Sequence, residues 1–412
     1  MIFARGPVFR RATCLAGVFC ALACRGEKPA PQPAPPAERI EVAPLGYMRP
    51  SDFYFTYRLS SMALGFFDND HLLFTFRVGG LLRRLPDQRA NDEDQQIRAV
   101  VLDLRSGKVV KQTDWRMPDR SQYLWAYPDG RFLVRIRDSL YLTDQSLELE
   151  PYLNFDSTLR VVEVSPDRKI TLLEWEIPGQ DQRDVLGEEA PASSKRVKVV
   201  MFPSGSQNAT VTSEANHPVE IPLVGDGILD LLEGKQTGMW AMRDVLFHGD
   251  PRIVAEVKSS CQPTIQAVSA DAALVMGCNE QVDADRPVYA IATDGDLLWQ
   301  QRWEAKYVWG SFAYAENGSR FAYESVQVDR PISVIDQLDP EDATAQLVGV
   351  YDTRTGKMVL LRDLSPILTA GQNVALSPDG SRFAVLRKGA IEIYDLPPVS
   401  EKPLDNAVAK KK

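Results

Sequence analysis

Few side chains in this sequence are of types and spacings that do chemistry. The chain of 412 residues holds only three histidines, His71, His217 and His248. A transition-metal centre draws on His, Cys and carboxylate ligands at short fixed spacings, as an H-E-x-x-H helix does. None of the three histidines stands at such a spacing. Asp283-x-Asp285 and Asp294-x-Asp296 offer oxygen ligands of the kind calcium takes, yet neither completes a calcium loop. No G-x-S-x-G nucleophile turn occurs, and Gly225-Asp226-Gly227 is too short to cradle a dinucleotide, so it reads as a turn. No catalytic residue, metal or cofactor is therefore assigned.

The cysteines carry more information. Arg5, Arg10 and Arg11 precede the apolar run Ala12–Ala23, ATCLAGVFCALA, which is too short for a membrane span. Ala21-Leu22-Ala23 has the small-x-small pattern of a cleavage site, and Cys24 follows it. This resembles a bacterial lipoprotein signal, which implies lipidation at Cys24; the alternative is cleavage before an unmodified cysteine. Residues 1–23 are thus expected to be a signal peptide. Residues 24–44, rich in Pro and Ala, form an extended spacer, and 401–412 a frayed tail. The protein is expected to be exported to the periplasm or outer cell envelope, touching membrane only through the lipid. That setting permits a disulfide, and Cys261 and Cys278 are candidates for one. Aligning their hairpin on the one at Ser377 places Cys278 opposite Pro263, two residues from Cys261. Two free thiols are the alternative.

The elements that carry these residues repeat. FFDNDHLLFTF (66–76), AYPDGRFLVRI (126–136), VSPDRKITLLE (164–174), VSADAALVMGC (268–278), YAENGSRFAYE (314–324) and LSPDGSRFAVL (376–386) each join two apolar runs through a turn. Pro presets φ for the first central turn position, and Asp, Asn and Gly suit the positions after it. A second pattern follows, as in VVLDLRSGKVVKQ (100–112) and GVYDTRTGKMVLL (349–361), where a strand again enters a polar turn and leaves as a strand. Four strands per unit, at intervals of about 40 to 60 residues, predict a single all-β propeller over 45–400. A lone blade cannot bury both its faces, and a ring of blades can. Seven blades are expected. The fourth, within 219–260, is weakly marked, because GMWAMRDVLFHGD lacks the repeat. The seventh has three strands of its own, and the segment 38–59 is expected to supply the fourth. The SPDG hairpins resemble WD40-like and TolB-type propellers. GVYDTRTGKMVLL and AIATDGDLLWQQRW resemble quinoprotein-like repeats, whose Trp residues imply that Trp299 and Trp303 pack between blades. These families include scaffolds, envelope-assembly proteins, ligand binders and enzymes, so the fold does not choose among functions.

Three links between the second and third strands of a blade are long: 82–96, 179–195 and 328–345. Equivalent links share one face, and long loops on a rigid scaffold are where binding tends to lie. These three hold thirteen acids and six bases. Arg83, Arg84, Arg89, Asp92, Asp94, Arg183, Glu188, Arg330, Asp339 and Asp342 are the candidate binding residues of an acidic rim whose loops could be shortened without harm to the fold. The expected partner is a protein or a glycan. A net charge of −9 argues against nucleic acid, which needs a basic face. The reading is a non-enzymatic envelope scaffold; the alternative is a propeller enzyme, hydrolase or quinoprotein-like, with an axial site.

Overall fold

The computed structural model describes residues 35–57, 59–80, 82–90, 92–177, 196–219, 221–225, 227–246, 249–278, 285–303, 307–329, 337–368 and 372–399. Its strands form seven four-stranded antiparallel sheets set in a ring, a seven-bladed β-propeller. Six blades are contiguous in sequence. They run over Met62–Met117, Leu124–Asn154, Leu159–Ala215, Leu223–Lys258, Thr264–Trp303 and Tyr307–Asp363. In the seventh, three strands between Val374 and Asp395 are completed by β1 (Glu38–Glu41). It lies antiparallel on the strand Ala390–Asp395, with Ile40 opposite Ile391. That strand begins inside the stretch read above as spacer.

Seven hydrophobic cores lie between successive blades. Phe132 of the second blade packs with Ala63 and Leu73 of the first. Phe383 and Tyr394 of the seventh pack with Val348 and Val350 of the sixth. The ring closes where Ala375, Ala384 and Ile391 meet Phe74 and Val100. The blade faces are therefore apolar in both directions, which explains strands such as Met62–Phe66 that are buried along their whole length. Gly65 shows how closely the blades approach, since a Cβ there would lie 2.4 Å from the Phe132 ring.

The fourth blade is a complete sheet, despite its weak marking in the sequence. The stretch GMWAMRDVLFHGD contains its third strand, Met239–Leu246, paired from Trp240–Glu233 to Leu246–Gly227. Its innermost strand is only Leu223–Val224, which leaves no room for an apolar run before the turn.

Candidate functional site

Inner strands from five blades line an axial cavity of about 480 Å³. Its lining includes Ser60, Gln122 and Gln372 where chains enter the inner strands, and Phe66, Phe312 and Tyr314 along the wall. Gln372 is fixed by accepting from the Ser60 hydroxyl at 3.2 Å and donating to the Leu124 carbonyl at 3.0 Å. Tyr314 accepts a hydrogen bond from Gln266 at 2.8 Å. Burial, together with the charge of Glu163, pushes its phenol well above the ordinary range. Arg168, from the hairpin turn of the third blade, also lines the cavity. Its Nη1 lies 3.0 Å from Glu316 Oε2, on the corresponding turn of the sixth.

A second feature is the face that bears the links between second and third strands. The link of the first blade does not stand free as an acidic rim. Asp92, 6% exposed, accepts from Arg137 at 2.5 Å and from the Arg89 amide at 2.7 Å. Asp94, 8% exposed, pairs with Arg116, and Arg116 also donates to the Arg83 carbonyl at 2.8 Å. Arg89 reaches Asp138 at 3.2 Å. The loop is thereby tied to the link of the second blade, and Asp92 and Asp94 are neutralised by arginines outside it. This corrects the expectation that Asp92 and Asp94 belong to an acidic binding rim, because neither presents free charge to a partner. Arg83 and Arg84 are exposed on the same loop. In the sixth blade Asp339 is exposed and organises a turn, its side chain accepting from the Glu341 amide at 3.0 Å. The Asp342 carbonyl accepts from the Asp329 amide at 3.1 Å. Arg183, Glu188, Arg330 and Cys24 lie outside the described residues.

Between these two links sits a short helix that sequence reasoning missed, α1 (Asp52–Thr56). Phe55 is buried against Val326, Val328 and Leu338 of the sixth blade, and the Leu338 amide donates to the Thr56 carbonyl at 3.2 Å. On the other side the Tyr54 hydroxyl lies 3.5 Å from Gln95 Oε1 of the first blade. What remains outside is aromatic. Phe53 and Tyr57 are 45% and 48% exposed, with ring centroids 4.7 Å apart. The Arg120 guanidinium stacks over Phe53 at 5.3 Å. The aromatic content of RPSDFYFTY was the available signal.

The remaining sequence candidates are structural. His71 pairs with Asp68 at 2.9 Å within a turn, and His217 lies on the Pro218 carbonyl; His248 and Asp283 lie outside the described residues. Asp294 accepts from the Asp296 amide at 3.1 Å, as a turn aspartate does. Trp299 is buried and donates to the Thr353 carbonyl of the next blade at 2.8 Å. Trp303 stacks on Tyr323 at 4.7 Å. Cys261 and Cys278 form a disulfide with Cα atoms 5.9 Å apart. Their register differs by one residue from the sequence alignment. A bulge between Ala267 and Ser269 pairs Thr264 with Met276, so Pro263 falls beside Gly277 and not Cys278.

No protein-family model matches the chain, and no curated protein matches it. Solved structures similar to it include the Pyrococcus horikoshii acylaminoacyl peptidase, at 12% identity and TM-score 0.49. That comparison covers 86% of this chain and 54% of the peptidase, so this chain spans about half of that protein's length. An Agrobacterium tumefaciens protein assigned as TolB matches at 13% identity and TM-score 0.41, over 70% of this chain and 95% of its own. An oligogalacturonate lyase in complex with manganese matches at 11% and 0.45, over 82% and 97%. At these values no activity is carried over, and the fold rests on the strand order itself.

Proposed function

We propose that the protein is a non-enzymatic scaffold of the cell envelope that binds a protein through the α1 face. The observation that carries this reading is the exposed Phe53–Tyr57 pair, backed by Arg120 and held between two blades by the buried Phe55. Aromatic and arginine side chains on a rigid base are the residues that dominate protein interfaces. The paired acids of the 82–94 loop support a platform of fixed shape. The rim reading changes accordingly: contact is made by aromatic rings and by the exposed Arg83 and Arg84, with weak dependence on salt. Anchoring through lipid at Cys24 would hold the protein at an envelope surface. The competing enzyme reading, with its chemistry at the axis, draws support only from the cavity.

The test is photocrosslinking in intact cells from position 57, with position 297 on an outer strand as the control. A defined protein partner captured from 57 and not from 297, and lost in Phe53→Ala, supports the reading. Equal capture from both positions, or a stoichiometric metal or quinone in the purified protein, overturns it. Fractionation of Cys24→Ser tests the anchor separately: the variant should leave the membrane fraction, and an unchanged distribution would refute lipidation.

A further inference from the structure

The turn of the third blade departs from its siblings at one residue. In the seventh blade Ser377-Pro378-Asp379-Gly380 closes with Gly380 at φ 71°, its amide donating to the Ser377 carbonyl at 2.9 Å. The third blade copies each bond with Ser165-Pro166-Asp167-Arg168, where the Arg168 amide donates to the Ser165 carbonyl at 2.8 Å. In both, the serine hydroxyl donates to the aspartate, at 2.7 and 2.8 Å. Arg168 therefore occupies a glycine position, at φ 61°. A long, charged residue is held there in the left-handed region, where glycine alone is unstrained.

The side chain at that position is buried, 6% exposed, and lines the axial cavity. A buried guanidinium has five donors to satisfy, and here its compensation is incomplete. Nη1 lies close to the Glu316 carboxylate but off the hydrogen-bond direction, so the contact is an ion pair without a hydrogen bond. Burial lowers the guanidinium's proton affinity by more than Glu316 restores. Glu316 itself is 34% exposed and partly solvated, and so free to turn outward. Beyond Arg168 the wall is apolar and aromatic, through Phe66, Trp125, Phe312 and Leu376, and the Gln122 and Gln372 amides follow. The volume of about 480 Å³ suits a small ligand.

We propose that the axial cavity binds a small organic carboxylate with an apolar body, its carboxylate paired to Arg168. The planar guanidinium matches a carboxylate in geometry and charge. The cavity wall then covers the apolar remainder. The site does not depend on the protein-binding reading of α1. The carboxylate could belong to a free acid or to a peptide C-terminus.

Calorimetric titration of the full chain with 3-phenylpropionate, its amide, N-acetyl-Gly-Phe and the amide of that peptide decides the matter. Saturable binding of at least one acid below about 10 mM is expected, weaker by about tenfold or more for the matching amide. Binding by the free acid alone, or by the peptide acid, identifies the source. Arg168→Gly restores the residue that the matching turn of the seventh blade carries, so the fold is retained, and it should abolish acid binding. Glu316→Gln removes the competing carboxylate and should tighten binding several-fold. Failure of both acids to bind, equal binding of acid and amide, or unchanged affinity in Arg168→Gly would overturn the proposal.

Discussion

At the residue scale the stability of this protein depends on how its buried polar groups are compensated. Glu174 is fully buried on the second strand of the third blade. One oxygen accepts the Val219 amide at 3.0 Å and the other has no hydrogen bond. Burial raises its pKa above the ordinary glutamate value of 4.5, against the opposing pull of the Val219 amide and then of His217. The folded state therefore holds the proton more tightly than the unfolded state. Its contribution to stability is full below about pH 4.5 and is lost as pH rises through the raised value. Glu174→Gln should shrink the difference between urea midpoints at pH 4.5 and pH 7, and should be more stable than wild type at neutral pH. A steeper pH dependence in the variant would contradict this. The Cys261–Cys278 bond closes a segment of sequence separation 17, and its loss should cost about 3 kcal/mol on the chain-entropy account. Peptide mapping without reduction should recover the two cysteines linked, and Cys278→Ser should lower the urea midpoint. Both cysteines recovered free from freshly isolated protein would refute it. The sequence placed the two cysteines close but missed the register, since a bulge of one residue leaves no mark in the pattern of apolar runs. Arg168 was visible as SPDR among SPDG turns, but its significance depends on Glu316, which lies 148 residues further along the chain.

At the scale of elements, the hairpins were legible because each turn needs residues with special backbone freedom, and those residues recur in phase. Loops carry no such periodic demand. The 82–96 loop reads as part of an acidic rim, yet Asp94 finds Arg116 on a neighbouring strand and Asp92 finds Arg137 in the link of the second blade. Nothing local to the loop encodes that pairing. The fourth blade was obscure for a related reason, as two residues, Leu223 and Val224, do the work of an inner strand. The loop can now be assigned a load. Replacing 82–94 with a short turn removes the carboxylate partners of Arg116 and Arg137 together with the Arg83 carbonyl. Because the aspartates are nearly buried and the arginines only about a quarter exposed, the combined loss should be about 1–2 kcal/mol, above the norm for single surface pairs. Chemical denaturation measures it, and the deficit should narrow as salt rises. An unchanged midpoint would mean that the loop's ion pairs contribute nothing to stability.

At the scale of the molecule, the question is what closes the ring. The inter-blade cores are continuous around it, but six sheets are built from contiguous chain and the seventh is not. Its outer strand, β1, is only four residues long, too short to be stable alone. The contacts it makes are nonetheless specific. Arg39 donates to the nearly buried Glu392 at 2.7 Å, and Glu392 also accepts from Arg387 at 3.1 Å. Just beyond the strand, Val42 is fully buried in the core shared by the first and seventh blades, where Ile40 and Leu45 pack beside it. Removing residues 35–46 should therefore do two things. It should forfeit the burial of Val42 and part of that of Ile40 and Leu45, roughly 3 kcal/mol at the usual value per aliphatic side chain. It should also uncover the backbone edge of Ala390–Asp395, which is free to pair with another chain. The expected result is a lower thermal midpoint together with concentration-dependent association in size-exclusion chromatography. Removal of 24–34 alone, which takes away neither β1 nor Val42, is the control and should leave both measurements at wild-type values. A 35–46 deletion that stays monomeric with an unchanged midpoint would mean that three strands suffice for the last blade, with β1 contributing nothing to closure.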